Sequence, residues 1–231
     1  MPTSFPLPLV AAALLFIGNP ASDNLATSQQ PAAAQKAAPK LCFAPYTQQQ
    51  FARLPHTAVD IIEKHHLLAA KGQVIRQKGQ LIIRLPYQKT VRLTNNFSDT
   101  DVDNYAEYHF QGSIPELQSW AVGVGLWESG CTLLVNQLTG KQTRLWDTPV
   151  MAPDKKHFLT SRIDYMFEDD NGLQYWAVRD HAPVKLWEQQ TTDWSPAEVR
   201  WIDNASVAIK QQRLADDGSK RYTYVSAKLT P

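Results

Sequence analysis

Excess charge of either sign is missing from this sequence. Its 231 residues carry 23 Lys and Arg against 22 Asp and Glu, a net charge of +1. That balance gives no electrostatic reason to expect nucleic acid or an anionic membrane as partner. Cysteine is nearly absent too, with Cys42 and Cys131 alone, so one disulfide is the most the chain can form. No apolar run approaches the roughly 20 residues that a membrane-spanning helix needs. No Gly-x-Ser-x-Gly elbow and no phosphate-cradling glycine loop occurs, which removes the motif-bearing serine hydrolases and nucleotide-binding enzymes.

The longest apolar run, Leu9–Ile17, suits the core of a secretion signal, although no Lys or Arg precedes it. Residues 1–26 are therefore read as a signal peptide. Residues 27–41, rich in Ala, Gln, Ser and Pro, lack anything to bury and are read as a flexible linker. Residues 42–231 are read as a single mainly β domain, in a periplasmic or secreted protein with no transmembrane span in its mature chain. In an oxidising compartment Cys42 and Cys131 either form a bridge or stay separate thiols. A bridge would close a loop of about 90 residues, for which chain-entropy arguments suggest roughly 4–5 kcal/mol.

Thr57–Ala70 carries apolar residues at helical spacing, with Thr57 to cap a short N-terminal helix and Gly72 to end it. Beyond it the pattern is one of short strands separated by turn signals. Lys78-Gly79, Thr139-Gly140, Asn171-Gly172, Asp203-Asn204 and Asp217-Gly218 each lie between β-branched or aromatic runs. Thr143–Trp146 is echoed by Val184–Trp187 about 40 residues later, each followed by a proline-bearing turn, Met151–Lys156 and Asp193–Ala197, and then a strand. A repeat of that length with about four strands per unit predicts β-propeller-like blades; a β-sandwich or barrel is the alternative.

Ala152-Pro153-Asp154-Lys155-Lys156-His157-Phe158 resembles the Ser-Pro-Asp-Gly-Lys-x-Phe opening of TolB-type and WD-repeat propeller blades, with Lys155 where that pattern has Gly. Tyr108–Gln212 is similar to uncharacterised exported bacterial proteins built of such blades. The resemblance implies a fold and an export route and carries no catalytic residue.

Candidate sites are few. Asp99, Asp101 and Asp103 alternate as calcium-loop acids do, but the sixth and twelfth positions hold Asn104 and Phe110 where an EF-hand has Gly and Glu. No cofactor is expected; calcium is the one ion this spacing would suit. Glu63 and His66 share a helical face but make only half of a metal site. Glu168-Asp169-Asp170 is more simply a hairpin tip than an acid pair for sugar hydrolysis. All seven Trp lie between residues 120 and 201. Most are expected in the core; Trp127 and Trp194, each beside an acidic residue, are the expected ligand-facing pair. The functional expectation is an exported, non-catalytic binding or interaction module for a protein or extracellular ligand. A hydrolase acting on glycans or peptides is the alternative.

Overall fold

The computed structural model describes residues 41–56, 60–98, 100, 104–163 and 171–230, and these belong to one compact unit. The protein is mainly β, with four antiparallel sheets. Strand β1 (Cys42–Pro45) comes first, then helices α1 (Gln48–Ala52) and α2 (Glu63–Ala69). The first sheet joins β2 (Val74–Gln77), β3 (Gln80–Arg84) and β4 (Thr90–Thr94). The second joins β5 (Glu107–Ile114), β6 (Ser119–Gly125), β7 (Gly130–Asn136) and β8 (Gln142–Leu145). The third joins β9 (Val150–Met151), β10 (His157–Arg162), β11 (Gly172–Arg179) and β12 (Ala182–Gln190). The fourth holds β13 (Ser195–Trp201), β14 (Ser206–Leu214) and β15 (Lys220–Lys228), and β1 pairs with β15 as its outer strand. Among the described residues no sheet closes into a barrel.

Alternation of side chains explains how the sheets stack. Successive strand residues point to opposite faces, so a strand apolar at every position serves two neighbours at once. In β6, Trp120 and Val122 join Leu81, Ile83 and Phe110 toward the first sheet, while Ala121 joins Phe158 and Trp176 toward the third. In β10 and β11, Phe158 and Trp176 face the second sheet; Leu159 and Tyr175 pack with Trp194, Trp201 and Ile209 of the fourth-sheet side. Full burial of each such side chain is worth about 1.5–3 kcal/mol, so these layers carry the fold.

The turns follow local chemistry. Lys78 (φ 46°) and Gly79 (φ 76°) both adopt positive φ between β2 and β3, as a two-residue hairpin of this twist requires. Lys155 sits at φ 59°, in the left-handed region that favours glycine, and its ammonium lies 2.6 Å from Glu116. Lys155→Gly is therefore expected to leave stability within about 0.5 kcal/mol of the parent, as relief of backbone strain offsets loss of an ion pair whose lysine is exposed. Chemical denaturation measures this directly.

Several expectations are revised. The helix expected over Thr57–Ala70 is present only as Glu63–Ala69, with Ile62 at its N-cap; Thr57 lies outside the described residues. Helix α1, unforeseen, starts with a capping box in which Thr47 accepts from the Gln50 N–H and Gln50 accepts from the Thr47 N–H. Ser195-Pro196-Ala197 is strand rather than turn. Proline is tolerated there because β13 is an edge strand, bulged between Pro196 and Glu198. Asn171-Gly172 is no hairpin tip either. Asn171 is buried, and its amide donates to the carbonyls of Thr191 (2.8 Å) and Trp194 (3.0 Å), while Gly172 is the first residue of β11.

Candidate functional site

The expected ligand-facing tryptophans part company. Trp127 is 51% exposed, in the turn between β6 and β7. Its ring meets Tyr105 edge-on at 5.8 Å, and Tyr105 meets Phe97 at 6.1 Å. Phe97 is itself 59% exposed, so these three rings make a continuous aromatic row at the surface. Trp194 is instead 6% exposed, set in the core with Phe43 against it. Its neighbour Asp193 alone turns outward, to pair with Arg213. A polar neighbour thus does not report exposure, here in the short segment between β12 and β13.

The other candidates are dispersed. Asp99, Asp101 and Asp103 lie outside the described residues, as do Glu168, Asp169 and Asp170. Among the described residues no group of three or more His, Cys, Asp or Glu converges as metal ligands would. Glu63 and His66 have separate tasks. Glu63 pairs with Arg76 and accepts from the Phe110 N–H (2.7 Å). The His66 Nε2 meets the Asp60 carbonyl at 2.7 Å while its ring packs over Gly112. Cys42, exposed in β1, and Cys131, half-buried in β7, are free thiols on different sheets, so the bridge is not formed. Ser195 is buried.

What the fold does build is a cleft of about 580 Å³ at the end of the second sheet, bordered by the segment that follows β8 and by the end of β10. Strand pairing explains the space. His109, Gly123 and Thr132 form one cross-strand row, and Glu107, Gly125 and Gly130 the next on the same face. Three of these six positions, all on β6 and β7, are glycine, which leaves the middle of this end of the sheet open. A β-bulge between Phe110 and Gly112 frees Gln111 from pairing and lays its amide over Gly123, where an added Cβ would sit 2.7 Å from Nε2. Thr148 donates to the Gln111 carbonyl oxygen at 3.4 Å, and its N–H donates to Asp147 at 2.6 Å. Trp146, whose N–H donates to the buried Gln174 at 3.2 Å, forms the opposite wall with Asp147 and Arg162. Glu128 and Ser129, from the turn that carries Trp127, close the rim.

The electrostatics of the cleft are mixed. Asp147 keeps contact with solvent, yet protein surrounds it closely enough that desolvation raises its carboxyl above the ordinary range, against hydrogen bonds from Thr148 and attraction to Arg162. A raised folded-state carboxyl means ionisation opposes folding, so stability falls as pH rises from the unfolded through the folded pKa. Asp147→Asn, which keeps an acceptor for Thr148, is expected to raise the melting temperature slightly at pH 7 and to leave it unchanged at pH 3. Burial likewise pushes the Cys131 thiol up, despite Arg144 and Arg162. Cys131 pairs with Val124 in the row that faces away from His109. A thiol that is hard to ionise and turned from the imidazole is not placed for nucleophilic attack.

Sequence inspection missed this cleft because its residues come from four strands and a bulge. The available signal was the glycine alternation at 123 and 125, since glycine inside a strand marks space or a close approach. No family model, no curated protein and no solved structure matches the chain, and its function is argued from the site itself.

Proposed function

We propose that this chain is an exported, non-catalytic binding module, and that its ligand occupies the cleft around Gly125, Asp147 and Arg162. The observation that carries this is the glycine wall. Glycine within a strand forfeits packing and conformational entropy. Gly123, Gly125 and Gly130 together give up side chains where the sheet is otherwise densely apolar, and the gain is a concave polar site of ligand size. We further propose that the four sheets are consecutive blades of a propeller-type array. Their sequential meanders and the completion of the last sheet by the first strand support this. Export is supported by the Leu9–Ile17 run. No helix among the described residues is long and apolar enough to cross a membrane.

The test is native mass spectrometry of protein recovered from its export fraction, compared with Gly125→Leu. A Cβ at Gly125 would meet only ordinary contacts, the nearest Glu107 Cβ at 3.7 Å, so leucine enters the cleft without backbone strain. A bound mass on the parent, lost in the variant at unchanged melting temperature, is the expected result. Retention of the same mass by the variant moves the site elsewhere. A hydrolase is the second reading, favoured by Asp147 and Glu128 lining one cleft with the Asp147 carboxyl raised. Release of new reducing ends or amines, abolished by Asp147→Asn and by Glu128→Gln, would establish it in place of simple binding.

A further inference from the structure

We infer that the ligand is a neutral glycan chain, seated with one part in the cleft and the rest along the aromatic row of Trp127, Tyr105 and Phe97; this rests on the binding reading above. Three observations converge on it.

The first is the balance of groups around the cleft. Gln111 and Thr132 offer neutral donors and acceptors, Asp147 and Glu128 accept, and Arg162 donates. An anionic ligand would meet Asp147 and Glu128, and a cationic one would meet Arg162. A sugar hydroxyl donates and accepts at once, so it suits carboxylates, amides and a guanidinium alike without carrying charge into the site.

The second is continuity. Trp127 lies in the turn between Gly125 and Glu128, both of which line the cleft, so the aromatic row starts at the rim. Its rings follow one another at 5.8 and 6.1 Å and stay exposed at both ends, Trp127 and Phe97. Exposed aromatic faces of this kind suit the C–H faces of pyranose rings, apolar surface that brings no ionic demand. A chain of sugars presents such faces repeatedly, which matches a row better than a single ring would.

The third separates a glycan from a peptide. An extended peptide gains most of its affinity by pairing with an open strand edge. The glycine wall belongs to β6 and β7, which are interior strands paired on both sides. At the glycine wall itself the backbone is already paired on both sides, whereas hydroxyls require only side-chain partners.

The experiment uses the full chain in titrations with cellohexaose, maltohexaose and chitohexaose, followed by tryptophan fluorescence and calorimetry. An oligogalacturonate and an uncharged hexapeptide serve as contrasts. Parent protein, Gly125→Leu and Trp127→Ala are compared, with melting curves on all three. The expected result is binding of at least one neutral hexasaccharide. Trp127→Ala should weaken it by at least about tenfold, as loss of an aromatic anchor does. Gly125→Leu should abolish it, with melting unchanged in both variants. If no neutral hexasaccharide binds while the native-mass adduct, the galacturonate or the peptide does and is lost in Gly125→Leu, the glycan assignment falls and the cleft stands. If a neutral glycan binds equally well to Gly125→Leu, or if nothing binds the parent at all, the glycan assignment and the cleft reading fall together.

Discussion

Gly172→Ala is expected to cost at least about 3 kcal/mol of stability, a large share of the roughly 5–15 kcal/mol typical of a folded domain. Gly172 begins β11 at φ 145°, a backbone conformation closed to residues with a Cβ. An added methyl would also meet the carbonyl oxygen of Gln189 far inside van der Waals contact. That carbonyl belongs to β12, the paired neighbour of β11, so it cannot swing aside as a side chain would. Gly172 is held from both sides, opposite Arg162 of β10 and Gln190 of β12. Gly218→Ala is the natural control. Gly218 also has positive φ, 77°, but nothing lies within 4 Å of an added Cβ, and only the backbone term of about 1 kcal/mol applies. Denaturant unfolding followed by tryptophan fluorescence separates the two. Equal losses would mean that the Gln189 approach contributes nothing.

Glu63→Ala is expected to cost about 2–3 kcal/mol, and Glu63→Gln about 1 kcal/mol. Glu63 opens α2, reaches Arg76 of β2, and accepts from the Phe110 N–H of β5. One carboxylate thus ties the helix to the first two sheets. Arg76 also donates to the Tyr108 carbonyl, and its Nη1 has no hydrogen-bond partner. Removing Glu63 leaves this guanidinium, 24% exposed, without its counter-charge. Desolvation alone would push the Glu63 carboxyl up. The Arg76 and Phe110 hydrogen bonds outweigh it and hold the group below its ordinary value near 4.5. The unfolded state therefore binds this proton more readily than the folded one. The contribution is fully present above the unfolded pKa and is lost as pH falls through the folded one. Glu63→Gln should accordingly show a shallower loss of stability on the acid side. Parallel acid limbs for parent and variant would contradict the pairing.

Much of the strand layout was legible because hairpins are local. Lys78-Gly79 and Asp217-Gly218 state their turns in two residues, and alternating apolar runs mark the strands between them. What stayed hidden depends on which neighbour each strand meets. Asn171 reads as a turn residue in any local window, yet it is buried because two carbonyls of the connection between β12 and β13 come within reach of its amide. Trp194 reads as exposed beside Asp193, yet the fourth-sheet side needs it as core. Of the candidate site, only Trp127 was legible. Gly125, Asp147 and Arg162 meet through register and a bulge, and neither leaves a mark in a single stretch of sequence.

The pairing of Cys42 with Lys228 also sets an order of events in time. Of the described strands, β1 leaves the ribosome before all the others, and its hydrogen-bonding partner β15 after them. The first three sheets can close from contacts between near neighbours in the chain. The fourth must wait, with β1 an unsatisfied edge until β15 has been made. Such a delayed pairing makes the two ends of the domain the slow step of maturation. Truncations there are expected to trap a three-sheet intermediate rather than yield a smaller stable protein.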